Sequence, residues 1–430
     1  MDQSESTRYA LERLRAAGAE KAVCELVLTE KRELTVDAGR LNLLRTTFNT
    51  SLGLLALREM RRGSSAINKT ERPSIDAAAA RTVALASSSE PDPANEIAEA
   101  APAGEYGSGR ASPDADAMYE RTEEFLAYAR SAYPSTVLEQ AILDFTIDDR
   151  LLVNTNGVEQ HSRTSHYDFG VMFTTKAGGR ATSFNFAGFA TRELDRPLRE
   201  YGRVDALLAE SAGQLDARQV PETFVGEVIV TPESLEDVLG FLTTSISDYP
   251  MITGTSVYRD RIGQPVAGEG LTLHSRPTAP EIVTNRFFTS DGFRAEDSTI
   301  LDRGVLRTFL LSLYGSRKAG RPRGPNEGGC YVVEPGNTSY QELLQGVERG
   351  IVLSRFSGGQ PPANGDYSGV AKNSYFVRDG KIAFPLSETM ISGNLQNMLR
   401  EVRGVSSERA DFGTAIAPWV KFGGITISGK

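Results

Sequence analysis

Apolar and polar positions alternate through much of this chain, and helical spacing breaks in at a few places. Within residues 5–18, Leu11, Leu14 and Ala17 share one helical stripe. Residues 23–28 and 32–36 predict two strands, with Asp37-Ala38-Gly39-Arg40 as a turn. Residues 52–57 predict another strand. An alanine-rich run over 74–87 predicts a helix with Ser74 as its N-cap. Residues 89–116, rich in Pro, Ala, Gly, Asp and Glu, read as a linker. A helix over 117–132 follows.

Segments 137–147, 151–155, 158–165 and 167–175 alternate again, and Asn156-Gly157 supplies a hairpin turn. Residues 191–216 read as largely helical. Pro221-Glu222 marks a boundary, before a strand at 226–230 and a helix over 232–247. The apolar stripe of that helix is Leu235, Val238, Leu239, Leu242 and Ile246. Short strands and turns then alternate, with helices expected at 339–349 and 395–402. Residues 375–377 and 381–386 form a hairpin around Asp379-Gly380. Strands paired locally by turns predict an α+β fold: a mixed α/β N-terminal region and a C-terminal β-rich domain with antiparallel sheets. The expected domains are 1–88, a middle region over 117–220 after the linker, and a C-terminal domain over 221–430.

Composition removes several function classes. The chain of 430 residues is 24% charged and 40% hydrophobic, a globular profile with no apolar run long enough to span a bilayer. The acidic, polar start Met1-Asp2-Gln3-Ser4-Glu5 lacks the pattern of a secretory signal, so the cytoplasm is the expected compartment. A net charge of −9 argues against nucleic-acid binding. The basic segment Arg317-Lys318-Ala319-Gly320-Arg321-Pro322-Arg323 reads as a solvated loop, with an acidic partner as the alternative. The two cysteines, Cys24 and Cys330, make neither a disulfide framework nor a zinc ribbon.

The richest stretch is Gly365 to Leu395. It combines the hairpin with small polar flanks, Gly365-Asp366-Tyr367-Ser368-Gly369 before it and Ile391-Ser392-Gly393-Asn394-Leu395 after it. The run Asp366 to Asn373, followed by Pro385, Glu388 and Ile391 to Leu395, closely resembles the C-terminal signature of the TldD/PmbA family. Asn49 to Asn68, with Gly53, Arg58 and Gly63-Ser64-Ser65-Ala66, is similar to the family's N-terminal pattern. Gly423 to Gly429 is similar to its closing strand.

The resemblance implies a metal site in one branch of the family: an H-E-x-x-x-H helix after the first strand of the C-terminal domain, and a late cysteine. Here that helix is the one over 232–247. The histidines would fall at about Gly240 and Ser245, within a residue, and the cysteine near Asp411-Phe412-Gly413. No such ligand occurs there, and glycine and serine cannot replace imidazoles on zinc. The chain therefore resembles the TldE/PmbA branch, with no cofactor of its own and zinc expected in a TldD-like partner. The three histidines, His161, His166 and His274, form no helical pair and read as strand residues. Neither G-x-S-x-G nor Ser-x-x-Lys occurs. Ser368 and Lys372 are better explained by a tight turn than by a dyad.

No catalytic or metal residue is therefore expected in this chain. What remains is peptide binding, with an extended chain added to a sheet edge. The candidates are Asp366, Tyr367, Ser368, Gly369, Lys372, Asn373, Ser392, Gly393 and Asn394. The alternative is that both asparagines only lock loops. The expected function is a metal-free TldE/PmbA-like subunit of a cytoplasmic peptidase. It would pair with a TldD-like zinc subunit and cleave unfolded peptides, such as leader peptides of ribosomally made antibiotics. The alternative is a stand-alone homodimeric peptide-binding, scaffold or modulator protein, in line with the family's older label of DNA gyrase modulator. Neither reading involves direct nucleic-acid or membrane contact.

Overall fold

Long strands build the N-terminal half. A computed structural model describes residues 2–429; Met1 and Lys430, at the outer bounds of the first and last expected domains, lie outside the described residues. Helix α1 (Gln3–Ala16) leads into β1 (Lys21–Asp37), β2 (Arg40–Arg58), β3 (Arg61–Ile67) and α2 (Arg72–Ser88). Then come β4 (Gly104–Ser108), α3 (Ala115–Ala132), β5 (Thr136–Asn154), β6 (Glu159–Ala177), β7 (Asn185–Thr191) and α4 (Val204–Ala212). The sheet runs β3-β2-β1-β5-β6. The far edge of β6 is shared by β4, parallel at residues 160–164, and β7, antiparallel at 167–173.

Several expectations change here. The two strands expected at 23–28 and 32–36 are one, because β1 is paired along its length by β2 and β5. Residues 89–116 are not a free linker. Ala94, Ile97 and Ala98 are buried, and β4 adds to the sheet. Regions 1–88 and 117–220 share that sheet, since β1 lies between β2 and β5. Helix α2 starts after Glu71 rather than at Ser74. Of residues 191–216, only α4 and a short turn at Leu198–Glu200 are helical.

One face of the sheet is apolar. Leu26, Leu52 and Leu54 pack with Ala10, Leu14 and Ile75 from α1 and α2. Further along, Leu34, Leu143 and Phe169 pack with Phe125, Leu126 and Leu208 from α3 and α4. Each such side chain contributes about 1.5–3 kcal/mol of burial. At Gly63 the α2 backbone comes so close that a Cβ would lie 2.2 Å from the Thr82 carbonyl oxygen, which explains a glycine in the N-terminal pattern. The opposite face is polar in its middle. Lys31 pairs with Asp144 at 2.8 Å, Arg45 with Glu33 at 3.0 Å and His166 with Asp168 at 2.8 Å.

The C-terminal half packs against that polar face. It opens with β8 (Phe224–Val230) and α5 (Pro232–Ser245), close to the expected boundary and helix. It continues through β9 (Tyr331–Val333), α6 (Tyr340–Gln345), β10 (Arg349–Leu353), β11 (Arg355–Gly358), β12 (Asp366–Lys372), β13 (Tyr375–Arg378) and β14 (Lys381–Pro385). Strand β15 (Thr389–Asn394), α7 (Leu395–Arg400) and β16 (Ile416–Ser428) close it. The fold is mixed α and β, as expected. The C-terminal sheet is not purely antiparallel, because β8 pairs in parallel with β10 while pairing antiparallel with β16. Leu235, Val238, Leu239, Leu242 and Ile246 bury the α5 stripe in the main core. In the basic segment 317–323, Arg317 and Lys318 are exposed and also anchored to residues 92–93. Lys318 pairs with Asp92 at 3.0 Å, and Arg317 donates to the Pro93 carbonyl at 2.9 Å. Among the described residues no helix is long and apolar enough to cross a membrane.

Candidate functional site

A cleft of about 500 Å³ opens between the two halves. Lys31, Asp144 and Asp168 contribute from the polar face of the N-terminal sheet, and Phe186 to Phe189 from β7. The opposite wall is the start of α5, with Glu233, Leu235, Glu236 and Leu239, together with Tyr331 and the segment Phe412–Ala417. Pro232 starts α5 at the position where its missing N–H costs nothing. That places Glu233 in the first turn, at the positive end of the helix.

Glu233 does not face the cleft alone. Arg203, just before α4, donates to both of its oxygens at 2.9 and 3.0 Å and to Glu210 at 2.5 Å. The guanidinium lies 4.9 Å from the centre of the Trp419 ring. Burial disfavours the Arg203 charge, but Glu233 and Glu210 outweigh it and raise its pKa. Burial pushes the Glu210 carboxyl up despite Arg203. Burial also pushes up Asp144, against the pull of Lys31. The lining contains no serine, cysteine or histidine among the described residues. Apolar walls with a few fixed charges suit binding of an extended chain.

The expected peptide-binding residues lie on two sides of a ladder. Asp366, Tyr367 and Ser368 of β12 pair with Asn394, Gly393 and Ser392 of β15, and Gly369 pairs with Ile391. On its other edge, β12 pairs with β11 from Gly369 to Lys372, so only Asp366 to Ser368 keep an open edge. Tyr367 turns to a separate cavity of about 110 Å³ with Phe356, Leu395 and Met398. Asn394 is consumed by the fold. Its Oδ1 caps α7 at Gln396 N and Asn397 N, 3.1 and 3.3 Å away, and its Nδ2 donates to Asn364 O and Asp366 Oδ1, each at 2.9 Å. It has no hydrogen bond left for a peptide. Asn373 differs: its φ is +51°, its Nδ2 donates to the Phe184 carbonyl at 3.0 Å, and its Oδ1 is buried without a partner. Ser368 and Lys372 are four residues apart on one strand, about 13 Å, too far for a dyad.

The region where the resemblance puts a metal is one wall of the cleft, and its residues do not fit zinc. Gly240 has no side chain, and Ser245 Oγ donates to the Phe241 carbonyl at 2.7 Å. At and next to those positions the cleft is lined by Leu239, Phe412 and Thr414, while the carboxylates Glu233 and Glu236 line it earlier on α5. Asp411 accepts from Gly413 N at 2.8 Å. The histidines are spent elsewhere: His161 on Glu105 and Asp149, His166 on Asp168, and His274 on Thr299 and Glu334. Cys24 and Cys330 are free and buried, and burial pushes both thiols up.

Sequence reasoning missed the cleft because eight separate segments build it. The one local signal was the polar interruption of β1 at Lys31, which reads as a strand break and is instead a cleft-facing ion pair with Asp144.

Residues 224–429 match the family model for the PmbA/TldA metallopeptidase C-terminal domain. The chain is 24% identical over 448 residues to metalloprotease PmbA of Escherichia coli O157:H7, covering 99% of this chain and 96% of that one. It is 26% identical over 278 residues to a metalloprotease PmbA homolog of Buchnera aphidicola subsp. Acyrthosiphon pisum. That match covers 60% of this chain and spans 62% of the Buchnera protein, less than two thirds of its length. In fold it is similar to the crystal structure of TldE from Thermococcus kodakarensis, with a TM-score of 0.84 at 16% identity, covering 99% of this chain and 100% of that one. On these matches residues 224–429 form a PmbA/TldA metallopeptidase C-terminal domain, and the chain as a whole is similar to PmbA proteins in sequence and to TldE in fold.

Proposed function

We propose that this chain is the TldE/PmbA-like subunit of a two-subunit cytoplasmic peptidase, in which a TldD-like partner brings the zinc. The observation that carries the reading is the wall of the cleft. Helix α5 and the 411–417 segment stand beside a cavity that can hold a peptide, yet Leu239, Gly240, Ser245 and Phe412 offer no metal donor there. The chain's own residues then bind and orient. Phe186, Leu235 and Tyr331 supply apolar walls, and the open edge at Asp366 to Ser368, with Gly369, Lys372, Asn373, Ser392 and Gly393 around it, supplies backbone groups and polar contacts. Such backbone pairing ignores side-chain identity, so the substrates are unfolded peptides, with leader peptides of ribosomally made antibiotics as one class.

Co-expression of this chain with a TldD-like subunit tests the proposal. The expected result is a stable complex that carries its zinc on the partner. Failure of the two chains to associate at micromolar concentration, or stoichiometric zinc on this chain alone, would overturn it.

A further inference from the structure

Arg355 of β11 and Lys372 of β12 face each other across an antiparallel ladder. Two cations directly opposite on one sheet face repel. Among the described residues neither has a carboxylate partner. Arg355 is not a loose surface side chain. Its Nη2 donates to Ser183 Oγ at 2.8 Å, its guanidinium lies 4.2 Å from the centre of the Phe184 ring, and its Nε is buried without a partner. Burial alone holds its pKa below the ordinary value, because no acid offsets the desolvation.

The neighbours connect this pair to the cleft. Asn373, next to Lys372, holds the Phe184 carbonyl at 3.0 Å. Phe184 is 50% exposed and Phe186 is 59% exposed, and Phe186 lines the cleft. A fixed arginine, a lysine and two exposed aromatic rings therefore stand together at one rim. An arginine held by aromatic stacking and one hydrogen bond is pre-organised to receive a planar carboxylate. That carboxylate would also relieve the repulsion between Arg355 and Lys372.

We infer that Arg355 and Lys372 form a carboxylate subsite at the rim of the cleft, which takes a carboxylate of an extended peptide while Phe184 and Phe186 cover the adjoining apolar side chain. The carboxylate is either the C-terminus of the peptide or an acidic side chain. The inference rests on the peptide reading of the cleft, and it gives that reading a substrate class.

Fluorescence anisotropy on the purified full chain tests it with three labelled peptides. One ends in a free acid and has no acidic side chain, the second is its C-terminal amide, and the third is that amide with one Glu. The expected result is that one carboxylate peptide binds roughly tenfold tighter than the neutral amide, the factor that about 1.4 kcal/mol gives. Preference for the free acid identifies the C-terminus; preference for the Glu peptide identifies a side chain. Arg355→Gln should reduce the preference and leave the neutral peptide's affinity unchanged, and Lys372→Gln should, separately, reduce the preference. Equal binding of all three peptides, no binding, or a preference that survives both variants would overturn the subsite. Variants that keep the preference but lose association with the zinc subunit would assign the patch to the subunit interface and overturn it too. A preference that holds while the co-expressed pair cleaves nothing would leave the subsite standing and sink the two-subunit peptidase.

Discussion

Arg203 reaches across the boundary between the two halves and grips both carboxylate oxygens of Glu233, at 2.9 and 3.0 Å. Both side chains are largely buried, 12% and 17% exposed. The contact fixes α5 against the N-terminal sheet, and so fixes the two walls of the cleft. Removing one partner of such a pair leaves an uncompensated buried charge. Arg203→Met should therefore cost about 3 kcal/mol of stability in urea unfolding. A loss well under 1 kcal/mol would mean that the pair is solvated and does not set the cleft.

The signature residue Asn394 carries the second prediction. All four of its hydrogen bonds run within the chain, two of them to the first turn of α7. Asn394→Ala should cost about 1 kcal/mol, the usual loss for an N-cap. Peptide affinity of the folded fraction should stay unchanged. A variant of unchanged melting temperature that binds peptide several-fold more weakly would return Asn394 to the binding site.

The pH dependence of stability gives a third. Burial disfavours the His161 imidazolium, but hydrogen bonds with Asp149 and Glu105 outweigh it and raise its pKa above the ordinary 6.5. The folded state then holds the proton more tightly than the unfolded chain. That stabilisation is complete below about pH 6.5 and is lost as the pH rises through the folded pKa. His166 shifts the same way beside Asp168, against its own burial. Wild type should melt at lower temperature as the pH rises from about 6 to about 9, and His161→Gln should flatten part of that fall. A variant profile that runs parallel to wild type would contradict the assignment.

How much of this was legible in the sequence depends on how local each signal is. The Asp379-Gly380 turn was readable because both residues take positive φ, +48° and +73°, which a hairpin of this kind requires. The helix after Ser339 was readable because Glu342 closes a capping box with it. Helix α5 was readable from Pro232 and its apolar stripe. By contrast, β4 was hidden: Gly104–Ser108 has no alternation of its own and pairs with a strand more than fifty residues away in sequence. The run 29–31 of β1 looked like a break because Thr29 and Lys31 hydrogen-bond to Asp148 and Asp144 on the cleft-facing side of the sheet. The signature around Asp366 to Asn394 marked the family through residues that lock β12 to β15. The cleft itself is made by residues that lie far apart in the chain.

The central claim is that this chain supplies a peptide-holding wall and that the zinc comes from its partner, and one measurement tests it most directly. Cleavage of a single unfolded peptide is followed with this chain alone, with a TldD-like subunit alone, and with the two co-expressed. The account predicts no cleavage by this chain alone, and cleavage by the pair that exceeds the partner's own and disappears when the partner's metal-binding histidines are replaced. Cleavage by this chain alone, inhibited by a chelator and restored by zinc, would contradict it.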